Sequence, residues 1–104
     1  METSRDVSRK QQEEVLANAL EIFVRRSSVR GDLWAKYDEK DALAHIEDKA
    51  ARLRAGMMIK DARAELGESL DIDELHAALI DDALDLCNYA VFFVRHLRGL
   101  KPPE

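Results

Sequence analysis

The sequence contains few residues that interrupt helices. It has four glycines and two prolines, and both prolines lie at positions 102 and 103. A proline inside a helix removes a backbone hydrogen bond and clashes with the preceding turn, so its absence from residues 1–101 permits long helices. Alanine, leucine, glutamate, aspartate and arginine are frequent, and runs of β-branched residues are absent. The composition therefore predicts an all-α protein.

Cysteine is nearly absent. Cys87 is the single cysteine, which excludes a disulfide framework and favours a reducing compartment. The polar N-terminus has no signal-peptide pattern, and the longest apolar run, residues 89–94, is too short to span a bilayer. We therefore expect a cytoplasmic protein that makes no membrane contact.

The chain also has no block of basic residues. Its formal net charge is −5, which argues against direct nucleic-acid binding, because nucleic-acid-binding domains usually carry a basic face. Its 104 residues, 46% of them apolar, suffice for one domain with one core. We expect a single helical bundle domain at residues 8–100, between a disordered tail at residues 1–7 and a C-terminal tail at residues 101–104.

The first and last helices are predicted from their ends. A capping-box pattern that starts at Ser8 begins a helix at residues 8–29, and Gly31 ends it. The last helix is expected from residue 72 to about residue 98. Gly99 supplies its C-terminal cap, and the two prolines prevent its continuation.

The middle of the chain predicts one long helix and one short helix. Asp38 or Asp41 caps the long helix, which is expected to stop at Gly56. Residues 59–66 form the short helix. We therefore predict an antiparallel helical bundle of three to four helices.

Three acids lie at the start of the apolar part of the last helix. Asp82 falls on an apolar line of that helix, and a buried carboxylate is costly unless it is paired or bound to a metal. Asp82 and Asp85 are spaced i, i+3, and Asp81 and Asp85 are spaced i, i+4. Either pair can place two carboxylates on one side of a hard cation such as Mg²⁺. Alternatively, the acids pair with Lys49 and Arg52 of the second helix as a structural ion network.

Several short motifs occur in an order that resembles a known family. They are Gly31-Asp32-x-Trp34, Asp48-Lys49-x2-Arg52-Leu53 and Asp81-x3-Asp85-Leu-x-Asn88-Tyr89-Ala90. Together they resemble the nucleotide-modification-associated domain of phages and bacteria, which is related to the MazG-like all-α nucleoside triphosphate pyrophosphohydrolases. The resemblance covers residues 15–94.

This resemblance implies a MazG-like bundle, a dimer or tetramer, that converts a nucleoside triphosphate to the monophosphate and pyrophosphate. It implies Mg²⁺, or Mn²⁺ in its place, bound by acids of two facing helices. Asp82 and Asp85 would match the E-x-x-D element of the superfamily. Glu47 completes the expected catalytic set, and the expected metal ligands are Asp81, Asp82, Asp85 and Asp48.

The resemblance also implies a substrate-binding set. Lys49 and Arg52 match the Lys-x2-Arg element of the family and are expected to hold phosphates. Trp34 either stacks on the base or packs as a plug at one end of the bundle, and Asn88 belongs to the same substrate-binding set. The partner E-x-x-E element has no clear counterpart in this sequence.

A second function class remains open on the sequence alone. Two helices of about 20 residues are each about 30 Å long, and one small domain does not cover both of their apolar faces. The chain is therefore expected to self-associate under either hypothesis. The alternative to the enzyme is a non-catalytic helical interaction or dimerisation module.

Overall fold

The computed structural model describes residues 1–31, 36–67 and 72–100, without the side chain of Ile72. This part of the chain forms three helices and no strand, which confirms the all-α prediction. The three helices are α1 (Ser4–Arg30), α2 (Glu39–Glu65) and α3 (Ile72–Leu97). Both α1 and α2 pack on α3 and run antiparallel to it, so α3 is the central helix.

The first helix begins earlier than the sequence pattern predicts. Its N-cap is Thr3, whose side chain accepts a hydrogen bond from the backbone N–H of Asp6 at 3.1 Å. The Thr3 N–H donates to the Asp6 carboxylate at 3.0 Å, which lowers the pKa of Asp6 below its ordinary value. This reciprocal pair satisfies two backbone donors at the helix end. The predicted start at Ser8 is therefore wrong, and residues 4–7 are helical.

The second helix is continuous through Gly56. The predicted end at this glycine is wrong, and residues 59–65, which we assigned to a separate short helix, belong to α2. A Cβ atom on Gly56 would lie 2.6 Å from Cδ2 of Leu79 in α3. The glycine therefore permits close approach of two helices instead of ending one. Asp38 is confirmed as the N-cap and forms a capping box with Asp41.

The predicted ends of α1 and α3 are confirmed. Gly31 has a φ of 79° and its N–H donates to the Ser27 carbonyl oxygen at 3.0 Å. Gly99, two residues after the end of α3, has a φ of 70°. Both positions lie in the left-handed region that residues with a Cβ atom rarely adopt, which explains why the helices stop there.

The core of the described residues is small. Its centre is Ala42 of α2 against Phe92 of α3, and the Phe23 ring of α1 meets Phe92 edge-on at 5.6 Å. Elsewhere, Ala19 and Leu84 are also buried. The aromatic rings of Phe23 and Phe92 therefore supply much of the packing.

The molecule is extended for its length. Its radius of gyration is 16.7 Å, whereas a compact chain of this size has about 13 Å. Its accessible surface is 8098 Å², whereas a compact monomer of this mass exposes about 5,900 Å². One cause is α1, of which every residue before Ala19 is exposed. Within the described ranges, no helix is both long and apolar enough to cross a membrane.

Candidate functional site: an ion cluster between three helices

Charged side chains from all three helices meet at one point. Asp82 and Asp85 come from α3, Lys49 and Arg52 from α2, and Arg26 from α1; we call these five residues the ion cluster. The Lys49 ammonium nitrogen lies 3.4 Å from Oδ1 of Asp82 and 3.3 Å from Oδ2 of Asp85. The i, i+3 spacing on each helix turns both acids and both basic residues toward the same contact.

Arginines bind the outer side of each carboxylate. Nε of Arg52 lies 3.6 Å from Oδ1 of Asp82, and Nη1 of Arg26 donates a hydrogen bond to Oδ1 of Asp85. Asp85 thus binds cations from both neighbouring helices. The pairs between α2 and α3 are those expected for a structural ion network.

Arg26 is absent from the predicted site. Its contact with Asp85 spans 59 positions of sequence, so no local spacing reveals it. One signal was present: Arg26 lies three residues after Phe23 and seven after Ala19, on the side of α1 that packs against α3. A charged residue on a packing face requires a partner on the facing helix.

The cluster holds its two acids and Lys49 on the inside and its two arginines on the outside. The exposed fraction of the side chain is 8% for Asp85, 15% for Lys49 and 18% for Asp82. It rises to 42% for Arg26 and 59% for Arg52. Three cations face two carboxylates, which leaves one surplus positive charge at the solvent side. This surface favours an anion over a free cation.

An aromatic group borders the cluster. Tyr89 lies one turn after Asp85, and its ring stacks on His45 at 4.5 Å with 8° between the planes. The Tyr37 ring lies 4.8 Å from His45. Burial, together with Tyr37 and the Asp85 carboxylate, raises the pKa of Tyr89. In this group, His45 serves as a packing residue.

Asn88 connects α3 to α1. Its Nδ2 donates to the carbonyl oxygen of Ala19 at 2.9 Å. The amide that we assigned to substrate binding therefore holds a backbone group of α1, one turn from Asp85.

The remaining predicted residues lie elsewhere. Asp81 and Asp48 are exposed. Glu47 lines a surface depression on the outer side of α2 together with Ala50, Ala51 and Arg54. Trp34, assigned to base stacking or to a plug, lies outside the described residues. Among residues 1–31, 36–67 and 72–100, no three His, Cys, Asp or Glu side chains are placed to share a metal ion.

The donor set of Asp82 and Asp85 nevertheless fits one cation. Both carboxylates direct an oxygen at the Lys49 ammonium, which acts as a stand-in for a bound ion. Mg²⁺ in nucleotide sites is usually held by one or two carboxylates, and water and substrate phosphates complete its shell. The two acids would supply these carboxylates if Lys49 left the position between them.

The fold and the cluster define a small all-α protein in which three helices meet around an interhelical ion cluster. Comparison of the chain with protein-family models, with curated proteins and with solved structures finds no significant match.

Proposed function

We propose that the ion cluster binds the phosphates of a nucleotide, and that the chain is a Mg²⁺-dependent nucleoside triphosphate pyrophosphohydrolase of the MazG-like kind or a nucleotide-binding relative. One observation supports this proposal above the others. Two nearly buried carboxylates share a single cation position, and two partly exposed arginines lie beside it. A metal site next to a phosphate site needs this combination of charges.

Each residue of the cluster has a role in the proposal. Asp82 and Asp85 hold the metal, and Lys49 leaves the position between them to bind a phosphate oxygen. Arg26 and Arg52 present guanidinium groups, whose planar geometry matches phosphate. When bound, Mg²⁺ would activate a coordinated water and neutralise charge on the phosphates.

As an ion network alone, the inward-facing acids add little to stability. A buried ion network is often no more stable than an apolar packing of the same volume. This chain has a small core, and it places two carboxylates and a lysine where apolar residues would add to that core.

We further propose that the protein acts as a homo-oligomer in the cytoplasm. The support is its surface, which exceeds the expectation for a compact monomer by about 2,200 Å². The half-buried single cysteine, Cys87, agrees with a reducing compartment.

The proposed metal position is tested by removing the Lys49 ammonium, which occupies it in the structure. Lys49→Ala leaves Asp82 and Asp85 without the ammonium, so Mg²⁺ should raise the melting temperature of this variant more than that of the wild type. The exposed Lys40→Ala is the matched control and should respond like the wild type. No Mg²⁺-dependent rise in Lys49→Ala would refute the metal position.

The reaction is tested by pyrophosphate release from a panel of canonical and modified nucleoside triphosphates with Mg²⁺ or Mn²⁺. Asp85→Asn should abolish release while helicity by circular dichroism is retained. Asp61→Asn, an exposed acid of α2, is the control and should retain release. Release by Asp85→Asn at the wild-type rate would exclude the cluster as the site.

A second candidate function is a non-catalytic helical interaction module. The observation that favours it is the pairing of both acids within the protein, which leaves each carboxylate with cationic partners. Under this candidate the cluster only joins helices. Nucleoside triphosphates and Mg²⁺ should then leave the melting temperature unchanged in both the wild type and Lys49→Ala.

A further inference from the structure

A small cavity lies between α1 and α3 beside the ion cluster. Two of its lining residues, Arg26 and Asp85, belong to the cluster. Its volume is about 20 Å³, whereas about 10–15 Å³ is enough to hold one water molecule. The other described lining residues are Phe23, Asn88, Tyr89 and Phe92. The space therefore suits a single molecule of the size of water.

The polar side chains around the cavity have hydrogen-bonding capacity beyond their contacts within the protein. Arg26 engages Asp85 through Nη1, and its guanidinium has further N–H donors. Arg26 and Lys49 each approach one oxygen of the Asp85 carboxylate, which has about four lone-pair sites. Asn88 uses Nδ2 to bind Ala19, and its Oδ1 is an acceptor. An internal water makes about three hydrogen bonds, and the three lining side chains can supply them.

The charges of the described lining cancel, because Arg26 carries one positive charge and Asp85 carries one negative charge. A hard cation requires a shell of oxygen ligands, and an anion requires surplus positive charge. Water both donates and accepts hydrogen bonds, so it matches a neutral lining that offers both. The rings of Phe23 and Phe92 form the apolar part of this lining. The chemistry of the cavity therefore favours water over an ion.

We propose that this cavity is a hydration site in which one long-lived water molecule bridges Asp85, Asn88 and Arg26. The water donates hydrogen bonds to the Asp85 carboxylate and to Oδ1 of Asn88, and it accepts one from the Arg26 guanidinium. Buried waters of this kind satisfy polar groups and are costly to remove. The contact between α1 and α3 is then partly mediated by water.

The water gives Asn88 a role at the ion cluster, and this part rests on the proposed function. In that function, Lys49 turns from Asp85 to a phosphate oxygen, and Arg26 presents its guanidinium to phosphate. The bridging water remains a donor to the Asp85 carboxylate and holds it in orientation for the metal. Asn88 is thus a positioning residue, which acts on Asp85 through the water.

The hydration site is tested in solution by the nuclear Overhauser effect between water and protein protons. The side-chain amide protons of Asn88 should show a cross-peak to water with the sign of a long-lived internal molecule. Asn18, on the exposed part of α1, is the matched control and should show the sign of rapidly exchanging surface water. The absence of a cross-peak at Asn88, or the same sign at both residues, would overturn the proposal.

A crystal structure tests the position of the water. The wild type should show one ordered water within hydrogen-bond distance of Asp85 and Asn88. Asn88→Leu should lose it, because leucine has the same branching but no hydrogen-bonding atom in its side chain. Asn18→Leu is the control and should retain the water. An ion in the wild-type cavity, no ordered water there, or a water retained in Asn88→Leu would contradict the bridge.

The positioning role has its own readout in the Lys49→Ala background, in which Mg²⁺ is expected to raise the melting temperature. Adding Asn88→Leu should reduce that rise, whereas adding Ile22→Ala should not. Ile22 is half-buried in α1 and outside the described lining, so its truncation controls for weaker packing of α1. Equal rises in the two double variants would overturn the positioning role and leave the hydration site intact. No rise in Lys49→Ala itself would refute the metal position together with the positioning role, while a confirmed water would stand.

Discussion

Asn88 of α3 donates a hydrogen bond from its side-chain Nδ2 to the backbone carbonyl oxygen of Ala19 in α1, at 2.9 Å. Ala19 is only 4% exposed, so the bond lies inside the contact between the two helices. Arg26 follows Ala19 by two turns on the same side of α1. By fixing the rotation of α1, this bond directs Arg26 at Asp85.

Removing this hydrogen bond should weaken the packing of α1 on α3. Asn88→Ala is expected to lower the free energy of unfolding by about 1 kcal/mol, the usual net value of one hydrogen bond. Asn18→Ala, on the exposed part of α1, serves as the control and should change it far less. Urea unfolding measures both values, and equal effects of the two variants would contradict a role for the Asn88 bond.

Lys49 should contribute more to stability than its neighbour Arg52. Lys49→Met leaves two nearly buried carboxylates without the ammonium between them, and breaking such a pair costs about 3 kcal/mol. Arg52 is 59% exposed and water screens its contact, so Arg52→Met should cost less than about 1 kcal/mol. Urea unfolding in low salt compares them, and the reverse order would show that burial does not control the energetics of the cluster.

Tyr89 should make the protein sensitive to alkaline pH. Burial raises the pKa of its phenol above the ordinary 10.0 in the folded state. Its contribution to stability is therefore complete below the unfolded-state pKa and is lost as pH rises through the folded-state pKa. The melting temperature should fall as pH rises past the ordinary phenol pKa of 10.0, and less steeply in Tyr89→Phe. Parallel curves for the two proteins would exclude this linkage.

Gly56 and Leu79 should be energetically coupled. Gly56→Ala gains helix propensity worth about 1 kcal/mol, but the new Cβ atom would lie 2.6 Å from Cδ2 of Leu79. The leucine must then shift, which offsets the gain. In a Leu79→Ala background the same substitution should stabilise by the full amount. A double-mutant cycle measures the coupling, and additive effects would show that the two residues do not compete for space.

The helix pattern of the chain was predictable from local signals, but not all of its boundaries were. The positive-φ glycines at 31 and 99 end helices as expected, because a backbone conformation alone determines that outcome. Gly56 looks the same in sequence but has a neighbour on another helix, which no local pattern contains. The Thr3 cap was missed because a similar capping pattern at Ser8 lies closer to the apolar residues.

The site was predictable where it depends on spacing within one helix. Asp82 with Asp85, and Lys49 with Arg52, each form an i, i+3 pair, and the structure brings the two pairs together. Arg26 depends on how α1 is rotated on α3, which is set by packing around Phe23 and the Asn88 bond. Those residues can be read from the sequence, but the rotation of α1 on α3 cannot.

The central position of α3 has a consequence for the order in which the chain is made. During synthesis α1 emerges first, yet α3, the helix against which it packs, is the last of the three to appear. Until α3 appears, the structure of α1 depends on local interactions such as the Thr3 capping box and the Arg9–Glu13 ion pair. An isolated helix held by such terms is only marginally stable. The N-terminal helix therefore cannot dock before α3 has been made, and until then α1 is open to proteases and chaperones.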